Sequence, residues 1–169
     1  MAALAEGTQI RGGGKGFLGR FQTVVNVGVF MPLYRLAYAS LVNKKLNKMD
    51  LREILSRSVN NNMRDNIGGA LLFNAGTFLQ VLEGSRAALN VTYRRIAADD
   101  RHERVDLIGL EPIKERMFSS WSMALIEDNE SAKKVMMKYC GADKPVIDNL
   151  KLDDVCAMML EMLGKTKPS

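Results

Sequence analysis

A few polar side chains stand where the surrounding pattern is apolar. Gln80 lies in Thr77-Phe78-Leu79-Gln80-Val81-Leu82, on the face of an extended segment that it shares with Phe78 and Leu82. If that face is buried, the amide needs partners, because an unpaired buried amide costs on the order of a few kcal/mol. Tyr38 sits in another apolar run and brings a hydroxyl with the same need. Ser58 and Asn62 are i and i+4 on a helical segment, so they extend its inner face with polar groups. Donors and acceptors converging on one point are how a site orients a planar polar ligand. Each residue alone has an ordinary structural reading. A tyrosine is commonly core with its hydroxyl at the rim, a strand glutamine commonly faces solvent, and Asn60-Asn61-Asn62 could be a fraying helix end.

The elements that must position these groups follow from periodicity. Leu33 to Ala39 reads as a strand with Tyr34, Leu36 and Tyr38 on one face. Asp50 with Glu53 opens a helix in the manner of a capping box, and Leu51, Ile54, Leu55 and Val59 carry it to Met63. Ile67 to Phe73 and Thr77 to Leu82 flank Asn74-Ala75-Gly76, a hairpin signal. Ser85 caps a second helix through Ala97, with Leu89, Tyr93 and Ile96 inward. Val105–Leu110 and Ser122–Ile126 complete five strands. The order βαββαββ predicts an α+β domain with an antiparallel or mixed sheet and two helices on one face. A C-terminal helical pair follows, 131–139 and 153–163, whose Val135, Met136, Val155, Met158, Met159 and Met162 read as core or interface.

Composition sets the outer bounds. With 169 residues, 47% hydrophobic and 25% charged, the chain suits one globular domain with a real core rather than a disordered segment. Its longest apolar stretch, Phe21 to Leu33, is interrupted by Gln22 and Asn26 and falls short of a membrane span. A net charge of +5 favours anions without specifying one. No basic run interleaved with aromatics points to direct nucleic-acid binding, and Lys44-Lys45 and Lys133-Lys134 read as solvated faces. One histidine and two cysteines, Cys140 and Cys156, give no metal-site spacing. Both thiols read as buried small apolar groups in a reducing, cytoplasmic setting.

Residues 1–30 differ from the rest. Gly12-Gly13-Gly14, Gly16 and Gly19 make a glycine-rich, basic stretch whose GGGKG lacks the spacing and preceding strand of a phosphate loop. It is faintly like a targeting leader but has no signal-peptide architecture. An extension of unassigned role ahead of a natural start at Met31 is a further reading. The expected organisation is an extension over 1–30, a ligand-binding domain over 31–127, and helices over 128–169 for output or oligomerisation.

A family pattern links the polar residues. Leu33–Ser40 (LYRLAYAS), Leu51–Asn62 (LREILSRSVNNN), Asp65–Gly84 (DNIGGALLFNAGTFLQVLEG), Arg94–His102 (RRIAADDRH) and Arg116–Met123 (RMFSSWSM) together resemble the BLUF domain, which senses blue light using flavin. The likeness runs from about Leu33 to Ile126 in order. It departs at Gly68-Gly69, where Thr-Gly is more usual, which removes a hydroxyl and frees the backbone.

The resemblance implies a ferredoxin-like fold with a non-covalent flavin, FAD foremost and FMN or riboflavin as alternatives, beside the sheet between two helices. It implies that Tyr38 is the photoactive tyrosine, with Gln80 between it and the flavin. Asn62 would bond the flavin's carbonyl and imide edge, with Asn61 and Ser58 nearby. Arg95, Asp99, Arg101 and His102 would line the pocket or its ribityl and phosphate side. Tyr38 would give an electron and then a proton on illumination, and Gln80 would rearrange its amide by rotation or tautomerism. Trp121 and Met123 would carry the signal along the last strand to the C-terminal helices, a homo-oligomer and a separate effector protein. The expected role is therefore light sensing rather than turnover. A flavin oxidoreductase and a flavin-free interaction module are the rival readings. Against the first stands the missing reactive cysteine pair.

Overall fold

A computed structural model of the chain describes residues 32–43, 48–119, 122–126 and 128–164. In these, β1 (Leu33–Val42), α1 (Lys48–Arg64), β2 (Gly68–Asn74), β3 (Thr77–Ser85), α2 (Arg86–Ala97), β4 (His102–Ile113) and β5 (Ala124–Ile126) build an α+β domain of ferredoxin-like order. Two further helices, α3 (Glu130–Cys140) and α4 (Leu152–Met162), follow. The sheet runs β4-β1-β3-β2-β5, antiparallel except where β5 joins β2 in parallel.

Local chemistry accounts for the elements. Ser85 caps α2, its hydroxyl accepting the Ala88 N–H at 3.2 Å, and Asn129 caps α3 through Ala132 N–H at 2.9 Å. The β2–β3 hairpin turns through Ala75 (φ 48°) and Gly76 (φ 78°), the two positive angles that a tight two-residue turn matching strand twist requires.

The central strands are covered on both sides, so Arg35 to Ser40 and Thr77 to Gly84 are buried throughout. Side-chain alternation sorts them into two faces. Leu36, Tyr38 and Leu82 meet Leu89 of α2, while Leu71 and Phe78 meet Ile54 of α1. On the opposite side Ala37, Ala39, Leu72, Leu79 and Val81 pack with Val135, Met136, Val155, Met158, Met159 and Leu160 of α3 and α4. The methionine-rich helices are therefore core, closing the second face of the sheet.

Three expectations are adjusted. β4 is longer than Val105–Leu110 because its polar ends still pair along β1. β5 is shorter than Ser122–Ile126, which leaves Met123 just ahead of the strand. Cys156 is buried, with its thiol pushed up to about 12 chiefly by burial, whereas Cys140 is only half-buried.

Candidate functional site

A cavity of about 210 Å³ opens between α1, α2 and the first face of the sheet. Its floor is set by strand register. Tyr38 on β1 stands directly opposite Gln80 on β3, and both are almost fully buried, at 2% and 3% exposure. The Tyr38 hydroxyl donates to Gln80 Oε1. The other end of the same amide, Nε2, donates to Met123 Sδ at 3.2 Å. One glutamine side chain thus joins a phenol to a thioether.

Burial and, secondarily, the neighbouring Tyr93 push the Tyr38 phenol far above its ordinary value, so it stands protonated. Tyr93 meets it edge-on with ring centroids 6.0 Å apart.

The inner side of α1 supplies Ser58, Asn61 and Asn62 to the wall. Asn62 is 2% exposed and its Nδ2 donates to the Ser122 carbonyl at 3.0 Å. The 122–123 segment is consequently held from α1 and from β3 at once.

At the other end of the cavity, Asp99 and Arg101 form a compact pair. Arg101 Nε and Nη2 donate to the two Asp99 carboxylate oxygens at 2.8 and 2.5 Å, and the Arg101 backbone N–H donates to Oδ1 at 3.1 Å. The Arg101 side chain, through its hydrogen bond foremost, holds the Asp99 carboxyl below the usual carboxylate range. His102 Nδ1 lies 2.8 Å from Ser40 Oγ and its ring 5.2 Å from that of Phe78. Burial lowers its pKa, so the imidazole is favoured neutral. Arg95 reaches the cavity from α2 with its side chain 44% exposed, 3.8 Å from Asp65.

All of the sequence-predicted cavity residues except the relay pair therefore line one space: Tyr38, Gln80, Ser58, Asn61 and Asn62 at one end, Arg95, Asp99, Arg101 and His102 at the other. Met123 joins them through Gln80. Trp121 lies outside the described residues.

Two polar lining residues escaped sequence reasoning, Arg57 and Thr92. The signal for Thr92 was present: with Leu89, Tyr93 and Ile96 it completes the i, i+3, i+4, i+7 stripe of α2, a polar interruption like Asn62 on α1. Its buried hydroxyl has no hydrogen-bond partner among the described residues.

This lining suits a flavin. Ile54, Leu71, Phe78 and Ile96 offer apolar walls for a flat ring. The Gln80 and Asn62 amides and the unpartnered Thr92 hydroxyl offer groups for its polar edges. Arg57, Arg95 and Arg101 offer cations for an anionic tail.

Fold and cavity together define a ferredoxin-like α+β domain with an apolar-walled, polar-edged cavity between its first two helices and its sheet. Comparison with known proteins makes the class specific. The family model described as BLUF, sensors of blue-light using FAD, matches residues 33–124, and the chain belongs to the BLUF family. BlsA in its photo-activated state superimposes with a TM-score of 0.71 at 26% identity, covering 81% of this chain and 99% of BlsA. BlrB, a BLUF protein in its dark state, gives a TM-score of 0.64 at 30% identity over 79% of this chain and 97% of BlrB. The photoactivated adenylate cyclase subunit beta of Euglena gracilis is 34% identical over 92 residues, which is 54% of this chain. The chain spans only 11% of that relative's length.

Proposed function

We propose that the protein is a blue-light receptor in which Tyr38 and Gln80 turn light absorption by a non-covalently held flavin into a hydrogen-bond switch read by Met123. The observation that carries this reading is the continuous chain from the Tyr38 hydroxyl through both ends of the Gln80 amide to Met123 Sδ. FAD, named in the family description, is the preferred flavin, with FMN or riboflavin as substitutes. When bound, it supplies a ring that absorbs blue light and whose excited state accepts an electron.

Tyr38 gives that electron. Its proton is retained in the resting state because burial disfavours a phenolate, and it is released only once the Tyr38 phenol has itself lost that electron. The nearest acceptor is Gln80 Oε1, which the hydroxyl already touches. Electron and proton then return to Tyr38, so no bond is made or lost overall, and Gln80 is left in its rearranged form.

A half-turn of the Gln80 amide accounts for the readout. It would present Nε2 to the Tyr38 oxygen and Oε1 to Met123 Sδ. A thioether sulfur has no hydrogen to give, so this contact loses its donor. Met123 then leaves Gln80 while Asn62 still holds the Ser122 carbonyl beside it. Asn62, Asn61 and Ser58 hold the ring's polar edge, and Arg95, Asp99, Arg101 and His102 the side of the ribityl chain and phosphate. Trp121 is assigned to the same relay as Met123.

These residues act as a regulatory module, in the cytoplasm, that works through a homo-oligomer and an effector protein and performs no turnover itself. The name of the curated relative, a photoactivated cyclase, supports a domain that controls another activity. None of the described helices is long and apolar enough to cross a membrane.

The test is the visible spectrum of the purified protein reconstituted with FAD, in darkness and after a blue pulse. A flavin spectrum that moves to the red without bleaching and recovers in darkness is expected. Tyr38→Phe should keep the flavin and lose the shift, and an unaltered photocycle in that variant would remove Tyr38 from its role.

A further inference from the structure

β3 touches the segment ahead of β5 twice, from opposite faces of the sheet. On the cavity face, Gln80 holds Met123. Three residues on, Glu83 points to the other face, is fully buried, and takes the Met117 and Phe118 backbone N–H groups at 3.1 and 3.0 Å. Its charge is balanced by Arg35 of β1, itself 4% exposed. Arg35 gives Nε and Nη2 to Glu83 Oε1 at 2.8 and 2.7 Å and Nη1 to Glu111 of β4 at 3.3 Å. A charged cluster on this face must be satisfied on every side, because each buried ion is costly to strip of water. Its partners come from β1, β3, β4 and the 117–118 backbone.

The cluster also adjoins the C-terminal helices. Phe118 is completely buried in the core formed by Val155, Met158 and Met159, and Cys156 of α4 is within electrostatic reach of Arg35, Glu83 and Glu111. Residues 117–118 are thus clamped under α4, and residues 122–123 beside the cavity.

We propose that Glu83, held by Arg35, is a positioning residue for the light signal. It fixes residues 117 and 118 as the anchor against which release of Met123 is converted into movement of β5, α3 and α4. A segment held at one end and freed at the other moves in a defined way, whereas one freed at both ends absorbs the change locally. Glu83 touches neither Tyr38 nor Gln80, so the photochemistry does not depend on it. This inference rests on the receptor reading above.

The experiment is hydrogen exchange at single-residue resolution on the full chain loaded with FAD, dark and under blue light. It compares wild type with Glu83→Gln, which can accept only one of the two N–H groups, and with Met117→Pro, which removes one N–H and leaves the ion pair intact. In wild type, amides 117 and 118 should exchange equally slowly in both states, while light changes exchange in 122–126 and in α3 and α4. In either variant that retains FAD, the red shift should persist and the light-induced change in α3 and α4 should fall to less than half.

Faster exchange at 117 and 118 on illumination of wild type would overturn the proposal, whether or not the variants fold. So would a full α3 and α4 response in a folded variant. Absence of any red shift in wild type would instead remove the receptor reading itself.

Discussion

The two faces of the sheet solve opposite problems with the same strands. On the α1/α2 face, polar side chains are buried around a cavity, and one, Thr92, has a hydroxyl without a partner among the described residues. On the α3/α4 face, the core is apolar, and a charge pair buried in it, Arg35 and Glu83, is satisfied by its own contact and by Glu111 and the Met117 and Phe118 N–H groups. The first face has groups free to exchange partners. The second is arranged so that its polar groups have no alternative. A switch needs both, since a movable amide transmits nothing unless part of the structure beside it stays fixed.

The contrast can be broken most severely at the second face. Arg35→Met leaves the Glu83 carboxylate buried with only backbone donors, and should cost about 3–5 kcal/mol of stability. Urea unfolding of the flavin-free and FAD-loaded proteins checks this, and the loss should be similar in both.

A change on the first face should act on ligand rather than fold. Asn62→Ala is expected to weaken FAD binding about tenfold, equivalent to about 1.4 kcal/mol, measured by flavin fluorescence titration. Its effect on unfolding should be smaller, about 1 kcal/mol, for the lost bond to the Ser122 carbonyl. Unchanged affinity would count against a contact with the flavin.

Helix caps sharpen the comparison further. Ser85→Ala and Asn129→Ala should each cost about 1 kcal/mol, since each removes one acceptor from a helix N-terminus. Only the first should also reduce FAD affinity, because α2 lines the cavity and α3 does not.

The smallest effect is one of pH. His102 has a pKa lowered chiefly by burial, so the unfolded chain binds its proton more readily than the folded one. The neutral imidazole's contribution is complete above about 6.5, the unfolded value. It is lost as pH falls from there toward the folded pKa. Stability measured between pH 7 and 5 should decline with a slope that is shallower in His102→Gln.

Much of the first face was legible in the sequence because it depends on local period. Alternation put Tyr38 on the strand face of Tyr34 and Leu36 and Gln80 on that of Phe78 and Leu82, helical spacing put Ser58 and Asn62 on one side of α1, and Ser85 announced its cap. Thr92 obeys the same rule, but between Leu89, Tyr93 and Ile96 a threonine with a small side chain is indistinguishable by period from an ordinary core residue. The second face was harder. Periodicity marked the methionines of α3 and α4 as buried but not against what, since a core surface and an oligomer surface have the same pattern. Arg35 and Glu83 are 48 residues apart, and a charged residue in a strand ordinarily reads as solvent-facing. Only the pairing of β1 with β3 brings them together, with Arg35 directly opposite Glu83.

The central claim is that the Gln80 amide is the switch. Gln80→Leu retains the volume of the side chain and removes the donor and acceptor that distinguish its two states. The decisive measurement is its light-minus-dark absorption spectrum with FAD bound, recorded beside wild type. The account predicts a reversible red shift in wild type and none in Gln80→Leu, with the flavin retained in both. A red shift of wild-type size in Gln80→Leu would contradict it.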